Sequence, residues 1–155
     1  MKQKYKSTFM DVAAKFAALS TAQKLKVGAI VVDDTRIISI GYNGTPSGWD
    51  NDCEYYDPNS IEDWMHPRDY KIYGKLITKD EVIHAERNAL DKLAKSNDSS
   101  LGATMFTTHT PCIECAKSIY NCGISTVYIK EKYTANKGCG EEFLIKAGVN
   151  VEYLS

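Results

Sequence analysis

The sequence has no apolar run long enough to span a membrane and no marked excess of charge of either sign. Its 19 lysines and arginines nearly balance its 20 aspartates and glutamates, which gives a formal net charge of −1. A transmembrane helix needs about 20 consecutive apolar residues, and a nucleic-acid-binding domain usually carries a clear basic excess. These two absences argue against a membrane protein and against a nucleic-acid partner, and they favour a small-molecule ligand.

Cysteine is also scarce. The chain has five, an odd number that cannot pair completely within one molecule. Residues 1–6 are basic, but no apolar core of a signal peptide follows them. Disulfide frameworks are typical of secreted chains, whereas cysteines in a reducing compartment more often bind metal or take part in catalysis. We therefore expect a cytoplasmic protein whose cysteines include metal ligands.

Hydrophobic periodicity predicts one α/β domain over residues 1–155. Apolar residues make up 43% and charged residues 25% of the chain, as in ordinary globular domains. The apolar spacing predicts helices at 7–19, 83–95, 112–122 and 140–147, and strands at 27–32, 36–42, 103–108, 126–130 and 149–154. The second half alternates helix and strand over short connections, which favours parallel crossovers. We expect a five-stranded mixed sheet with helices on both faces.

Residues 51–80 form an irregular insert in this pattern. The insert is rich in aspartate, tyrosine and proline, and it is too aromatic for a solvated linker. A loop of this length usually has a function or packs on itself. We expect it to cover a site or to form a subunit contact, with a helical turn at 61–65.

Two short motifs offer the side chains that bind zinc. His84 is followed two residues later by Glu86, and residues 111–115 have the sequence Pro-Cys-Ile-Glu-Cys. Proline suits the first turn of a helix. Cys112 and Cys115 can face one side of that turn, where the helix dipole favours thiolates. We expect the helix start that carries His84 to meet the helix start of the two cysteines at a zinc ion.

Three protein ligands would leave the fourth position of zinc open for water, as in catalytic rather than structural sites. Zinc can lower the pKa of that water to about 7, and Glu86 would move protons beside it. The alternatives are a redox Cys-x-x-Cys pair or a closed zinc knuckle with Cys53, His66, Cys122 or Cys139 as fourth ligand. A knuckle does not account for Glu86. Cys53 and His66 could also hold a second metal, and His109 is expected to form hydrogen bonds near the site.

His-x-Glu followed by Pro-Cys-x-x-Cys is the signature of zinc-dependent nucleobase deaminases. The chain resembles the deoxycytidylate (dCMP) deaminases of the cytidine deaminase superfamily over nearly its whole length. The loop at 41–48, Gly-Tyr-Asn-Gly-Thr-Pro-Ser-Gly, narrows the resemblance to this branch, and the other matching segments are 27–32, 84–89, 110–117 and 147–149. The resemblance implies the three-layer α/β/α cytidine deaminase-like fold.

The resemblance also implies a reaction and the residues that perform it. The reaction is hydrolytic deamination of dCMP to dUMP for thymidylate synthesis, with zinc on His84, Cys112 and Cys115. Water activated by the metal would attack C4 of cytosine, and Glu86 would protonate the ring and then the departing ammonia. The substrate would be held by four further residues, Lys24, Asn43, Ala85 and Tyr133.

Regulation is implied by the same resemblance. Family members are often hexamers that dCTP activates and that dTTP inhibits together with Mg²⁺. The effector site would lie near five residues, Asn43, Gly44, Gly48, Arg87 and Asn88.

The chain departs from the family pattern at two positions. Lys24 stands where many relatives have arginine, so the two-pronged phosphate geometry of arginine is lost. Some relatives bind a structural zinc with two cysteines, one of which aligns with Cys53. In this chain Ala22 stands at the position of the other.

The remaining alternatives for the function are a cytidine, guanine or tRNA adenosine deaminase, and a non-catalytic zinc-binding interaction module.

Overall fold

The computed structural model describes residues 1–155 and contains seven strands and five α-helices. The strands are β1 (Gly28–Asp33), β2 (Arg36–Tyr42), β3 (Glu54–Tyr56), β4 (Leu76–Thr78), β5 (Thr104–His109), β6 (Thr126–Glu131) and β7 (Asn150–Tyr153). The helices are α1 (Gln3–Ala17), α2 (Tyr70–Tyr73), α3 (Ala85–Leu93), α4 (Ile113–Asn121) and α5 (Gly140–Lys146). None of these helices is both long and apolar enough to cross a membrane.

Five strands form one mixed sheet in the order β2-β1-β5-β6-β7. β1 is antiparallel to β2 and β5, whereas β6 is parallel to both β5 and β7. α4 and α5 connect the successive parallel strands. The predicted five-stranded mixed sheet with parallel crossovers in the second half is therefore confirmed.

Helices cover both faces of the sheet because neighbouring side chains on a strand point to opposite faces. Ile30 and Phe106 are paired across β1 and β5 and pack with Phe9 of α1 on one face. The next pair, Val31 and Met105, packs on the other face with the buried side chains of α3, α4 and α5. The two cores make the three layers that the sequence predicts.

The predicted helical turn at 61–65 is wrong. This stretch contains only a turn in which the Met65 N–H donates to the Glu62 carbonyl at 2.9 Å. Short 3₁₀ helices lie on either side of it, at Pro58–Ser60 and Pro67–Asp69. Each begins with proline, whose fixed φ suits a helix start and therefore decides where the chain becomes helical. Near the two ends of the insert, β3 and β4 pair as a separate two-stranded sheet.

Two helix starts differ from the prediction. Cys112, rather than Pro111, is the residue at the start of α4, and it has an extended backbone with φ −70° and ψ 166°. Pro111 therefore precedes the helix. α1 begins at Gln3, several residues before the expected start at residue 7. The prediction missed its first turn because that turn is largely polar and carries no apolar periodicity.

Gly41 of β2 lies against the first turns of α3, the helix that follows His84. A Cβ on Gly41 would collide with the Ala85 carbonyl oxygen and would lie 2.6 Å from the Ala89 nitrogen. We expect Gly41→Ala to lower the free energy of unfolding by about 1–3 kcal/mol, because backbone atoms cannot move aside cheaply. Chemical denaturation measures this loss.

The matched control is Gly44→Ala, because a Cβ there would meet nothing within 4 Å. Its free energy of unfolding should change by no more than about 0.5 kcal/mol. Equal losses in both variants would contradict the packing described for Gly41.

Candidate active site

His84, Cys112 and Cys115 converge where two helices begin. His84 is the N-cap of α3 and Cys112 is the N-cap of α4, while Cys115 lies in the first turn of α4. The Nδ1 atom of His84 is 3.5 Å from the Sγ of Cys112 and 3.4 Å from the Sγ of Cys115. Ligand atoms around tetrahedral zinc are about 3.6 Å apart for one nitrogen and one sulfur. The three residues therefore fit a zinc ion.

The electrostatics of this group favour a thiolate. The hydrogen bond from the Cys115 thiol, together with His84, lowers the pKa of Cys112 to about 3. The same interaction raises the pKa of Cys115, so the paired sulfurs share one proton. The hydrogen bond with Cys112 also raises the pKa of His84. A cation bound by all three would take the place of the shared proton.

Glu86 lies beside this group, in the first turn of α3, and is only 4% exposed. Its Oε1 atom lies 3.3 Å from the hydroxyl of Thr107, which can donate to it. Burial raises the pKa of Glu86 because the charged form loses water. A carboxyl group in this environment can hold a proton at a pH where an exposed carboxylate cannot.

A cavity of about 450 Å³ opens in front of the ligands and Glu86. His84, Cys112 and Glu86 line it, and so do all four residues predicted to hold the substrate, which are Lys24, Asn43, Ala85 and Tyr133. Residues 75–80 of the insert form part of its wall, so the insert covers this site, as expected. The structure thus brings the predicted residues together, while their individual roles stay predictions.

Asn43 already uses its side chain within the protein. Its Oδ1 accepts from the Val27 N–H at 2.8 Å, and its Nδ2 donates to the Leu25 carbonyl at 2.8 Å. The Ser20 hydroxyl donates to the carbonyl of Asn43 at 2.7 Å. Asn43 therefore fixes the connector between α1 and β1, which forms one wall of the cavity.

A second cavity of about 380 Å³ lies beside the glycine-containing loop. Four of the predicted effector residues line it, namely Asn43, Gly44, Gly48 and Asn88. The fifth, Arg87, does not line this cavity. Its guanidinium group instead donates to the carboxylate of Asp91 at 3.0 Å and to the hydroxyl of Ser118 at 3.3 Å. Lys92 supplies the cation of this cavity instead.

The other candidate ligands do not belong to the zinc group, although the backbone of Cys139 pairs with that of Cys112. No fourth histidine, cysteine, aspartate or glutamate belongs to it, so Cys53, His66, Cys122 and Cys139 do not close the site. Cys53 is buried, with its Sγ 3.5 Å from the hydroxyl of Thr21. An open group of three ligands is the arrangement that the catalytic interpretation requires.

His109 lines the first cavity, where it contacts Thr108, Glu131 and Tyr133. Its Nδ1 lies 2.9 Å from the Thr108 hydroxyl, its Nε2 lies 3.5 Å from the Glu131 carboxylate, and its ring meets Tyr133 edge-on. Burial lowers the pKa of His109. These contacts fit the hydrogen-bonding role expected from the sequence.

Five charged residues of the cavity were not predicted from the sequence: Glu54, Lys75, Lys79, Asp80 and Lys137. Single charged residues in irregular segments carry no periodic or motif signal. Only the folding of the insert and of the loop after β6 places them beside His84.

The fold and the open three-ligand site define a zinc-binding deaminase. The family model described as the cytidine and deoxycytidylate deaminase zinc-binding region matches residues 3–131. The chain therefore belongs to the cytidine and deoxycytidylate deaminase family, which confirms the resemblance stated from the sequence.

Individual proteins that are similar to this chain include two curated relatives and one solved structure. The deoxycytidylate deaminase of Enterobacteria phage T4 is 32% identical, over 94% of this chain and 87% of its own. ComE operon protein 2 of Bacillus subtilis is 37% identical, over 93% and 68% of the two chains. The dCMP deaminase of cyanophage S-TIM5, solved in complex with dCMP and dUMP, is 37% identical with a TM-score of 0.82 over 99% of each chain.

The zinc group predicts the metal content of the purified protein. We expect elemental analysis to find about one zinc per chain, and Cys112→Ser and Cys115→Ser to lose most of it, because two remaining ligands bind zinc weakly. Cys122→Ser is the control, since Cys122 lies outside the group. Retention of zinc by both ligand variants, or its loss from the control, would contradict the assignment.

Proposed function

We propose that this protein catalyses the hydrolytic deamination of dCMP to dUMP and so supplies dUMP for thymidylate synthesis. The observation that carries the proposal is the position of Glu86, a buried carboxyl group on the same cavity as His84 and Cys112. A non-catalytic zinc-binding module has no use for this carboxyl group or for the cavity in front of it. The similarity to the S-TIM5 enzyme in complex with dCMP and dUMP supports the choice of substrate.

The chemistry uses the three ligands and Glu86. When bound by His84, Cys112 and Cys115, zinc would act as a Lewis acid that makes water nucleophilic at neutral pH. Glu86 takes one proton from the attacking water and delivers it to N3 of cytosine. It then moves the second proton to the 4-amino group, which leaves as ammonia as the C4 carbonyl forms. The raised pKa of Glu86 suits a group that must hold each proton between transfers.

The charges of the cavity favour a nucleotide over a free base or nucleoside. Lys24, Lys75 and Lys137 line it and form no ion pair, whereas Lys79 lies 3.3 Å from the carboxylate of Asp50. Unpaired ammonium groups attract a phosphate. A tRNA substrate would need a broad basic face, and the net charge of −1 offers none.

Removal of the Glu86 carboxylate tests the mechanism. We expect Glu86→Gln to lower kcat for dCMP by about 10²–10⁴-fold, because the amide cannot accept and return a proton. Elemental analysis should still find zinc, since Glu86 is outside the ligand group. Activity is measured from the ultraviolet change as cytosine becomes uracil.

Glu142→Gln on the exposed side of α5 is the matched control and should retain wild-type kcat. A Glu86→Gln enzyme with near-normal kcat would contradict the proposal. So would a wild-type enzyme that prefers cytidine, guanine or tRNA to dCMP.

We also infer that the second cavity binds nucleoside triphosphate effectors, dCTP as activator and dTTP with Mg²⁺ as inhibitor, in a cytoplasmic homo-oligomer such as a hexamer. Hydroxyl and amide groups line the cavity together with Lys92, which suits a triphosphate. Asn43 lies on both cavities, so a ligand in one can affect the connector that borders the other. The predicted roles of Gly44, Gly48 and Asn88 belong to this proposal.

Effector binding predicts two measurable changes. We expect dTTP with Mg²⁺ to raise the melting temperature and to slow dCMP turnover, because a ligand that binds the folded state stabilises it. Lys92→Ala should weaken both effects by about tenfold, since it removes the cavity's cation, whereas Lys95→Ala should not. Indifference of the wild type to both dTTP and dCTP would contradict an effector site.

A further inference from the structure

Glu54 of β3 is a buried carboxylate on the active-site cavity that the mechanism above does not use. The residue is 7% exposed and lines the cavity together with Lys24 and Glu86. It forms no ion pair with any lysine or arginine. Burial of an anion without a cation partner is costly, so its hydrogen bonds must compensate.

Backbone N–H groups hold this carboxylate in place. Oε1 accepts from the Gln23 N–H at 3.0 Å and from the Lys24 N–H at 3.2 Å, and Oε2 accepts from the Gln23 N–H at 3.2 Å. An ionised carboxylate offers about four acceptor sites. Only two N–H groups make these three contacts, because the Gln23 N–H lies within reach of both oxygens. Oε2 can therefore accept a further hydrogen bond from a ligand in the cavity.

The substrate limits what can donate to Glu54. dCMP has two kinds of hydrogen-bond donor at neutral pH, the 4-amino group of cytosine and the 3′-hydroxyl of the sugar. The amino group must lie beside Glu86, where it leaves as ammonia. The dianionic phosphate cannot donate, and it would be repelled by a carboxylate. The 3′-hydroxyl is therefore the donor that remains.

Asp80 is the other carboxylate on the wall of the cavity outside the reacting centre. Its side chain is exposed and accepts no hydrogen bond within the protein that would fix its position. An acceptor that selects a hydroxyl must be held before the substrate arrives, because ordering it on binding lowers affinity. Glu54 meets this requirement and Asp80 does not.

We propose that Glu54 accepts a hydrogen bond from the 3′-hydroxyl of the deoxyribose and thereby selects nucleotides that carry this group. This assignment rests on the proposed deamination of dCMP. It also gives the insert a function, because the paired strands β3 and β4 bring Glu54 and Lys75, the residue before β4, to the same cavity.

The test compares dCMP with 2′,3′-dideoxycytidine 5′-monophosphate, which lacks only the 3′-hydroxyl. The wild-type enzyme should have a kcat/KM about 10- to 100-fold higher for dCMP, the usual effect of a hydrogen bond to a charged group. Glu54→Gln should lose most of this preference, because its kcat/KM falls for dCMP but changes little for the dideoxy analogue.

The ratio between the two substrates separates recognition from structural support. If Glu54 only holds Gln23 and Lys24, Glu54→Gln lowers kcat/KM for both substrates equally and the ratio persists, which would overturn the assignment. Glu62→Gln, an exposed glutamate of the same insert, is the control and should keep the wild-type ratio. A ratio that collapses in Asp80→Asn but not in Glu54→Gln would also overturn it.

The outcomes for the wild type distinguish this assignment from the proposed function. Turnover of dCMP without any preference over the dideoxy analogue would overturn the role of Glu54 and leave the deaminase proposal standing. Absence of dCMP turnover by zinc-loaded wild type would overturn both.

Discussion

The meeting of two helix N-termini is the constraint on which the rest of this structure depends. His84 begins α3 and Cys112 begins α4, and their ligand atoms lie 3.5 Å apart although 28 residues separate them in the chain. Close packing makes this approach possible. Gly41 admits α3 against β2, and Gly140 admits α5 against the Pro111 and Cys112 carbonyls, where a Cβ would lie 2.7 Å from either oxygen. The fold thus places positive helix ends, which favour thiolates, around one point.

The irregular segments complete the site that the regular elements begin. The sheet and helices supply the ligands and Glu86, whereas the insert, the connector before β1 and the loop after β6 supply the other walls of the cavity. We propose that these segments hold the sugar and phosphate of the nucleotide. On that proposal, reaction and specificity reside in different parts of the fold, as is common where a rigid scaffold carries loops of variable sequence.

The sequence predicted the regular elements well because each has a strong local signal. The continuous apolar run of β1 is typical of a strand that is buried on both faces, and the apolar positions of α3 and α4 follow the period of a helix. The polar first turn of α1 and the turn at 61–65 have no such period, and the prediction was wrong there. The zinc group was predictable because His84, Cys112 and Cys115 lie in two short motifs. Glu54 and Lys137 were not, because single residues in loops carry no pattern.

The sequence by itself determined the class of chemistry and the helices that carry it. A histidine, two cysteines and a carboxylate at fixed local spacings imply an open zinc site wherever their helix starts meet. The tertiary structure decided which further residues face that site, since the positions of Glu54, Lys75 and Arg87 depend on contacts between segments far apart in the chain. Those contacts follow from burial and hydrogen bonding of the whole molecule, and local sequence does not contain them.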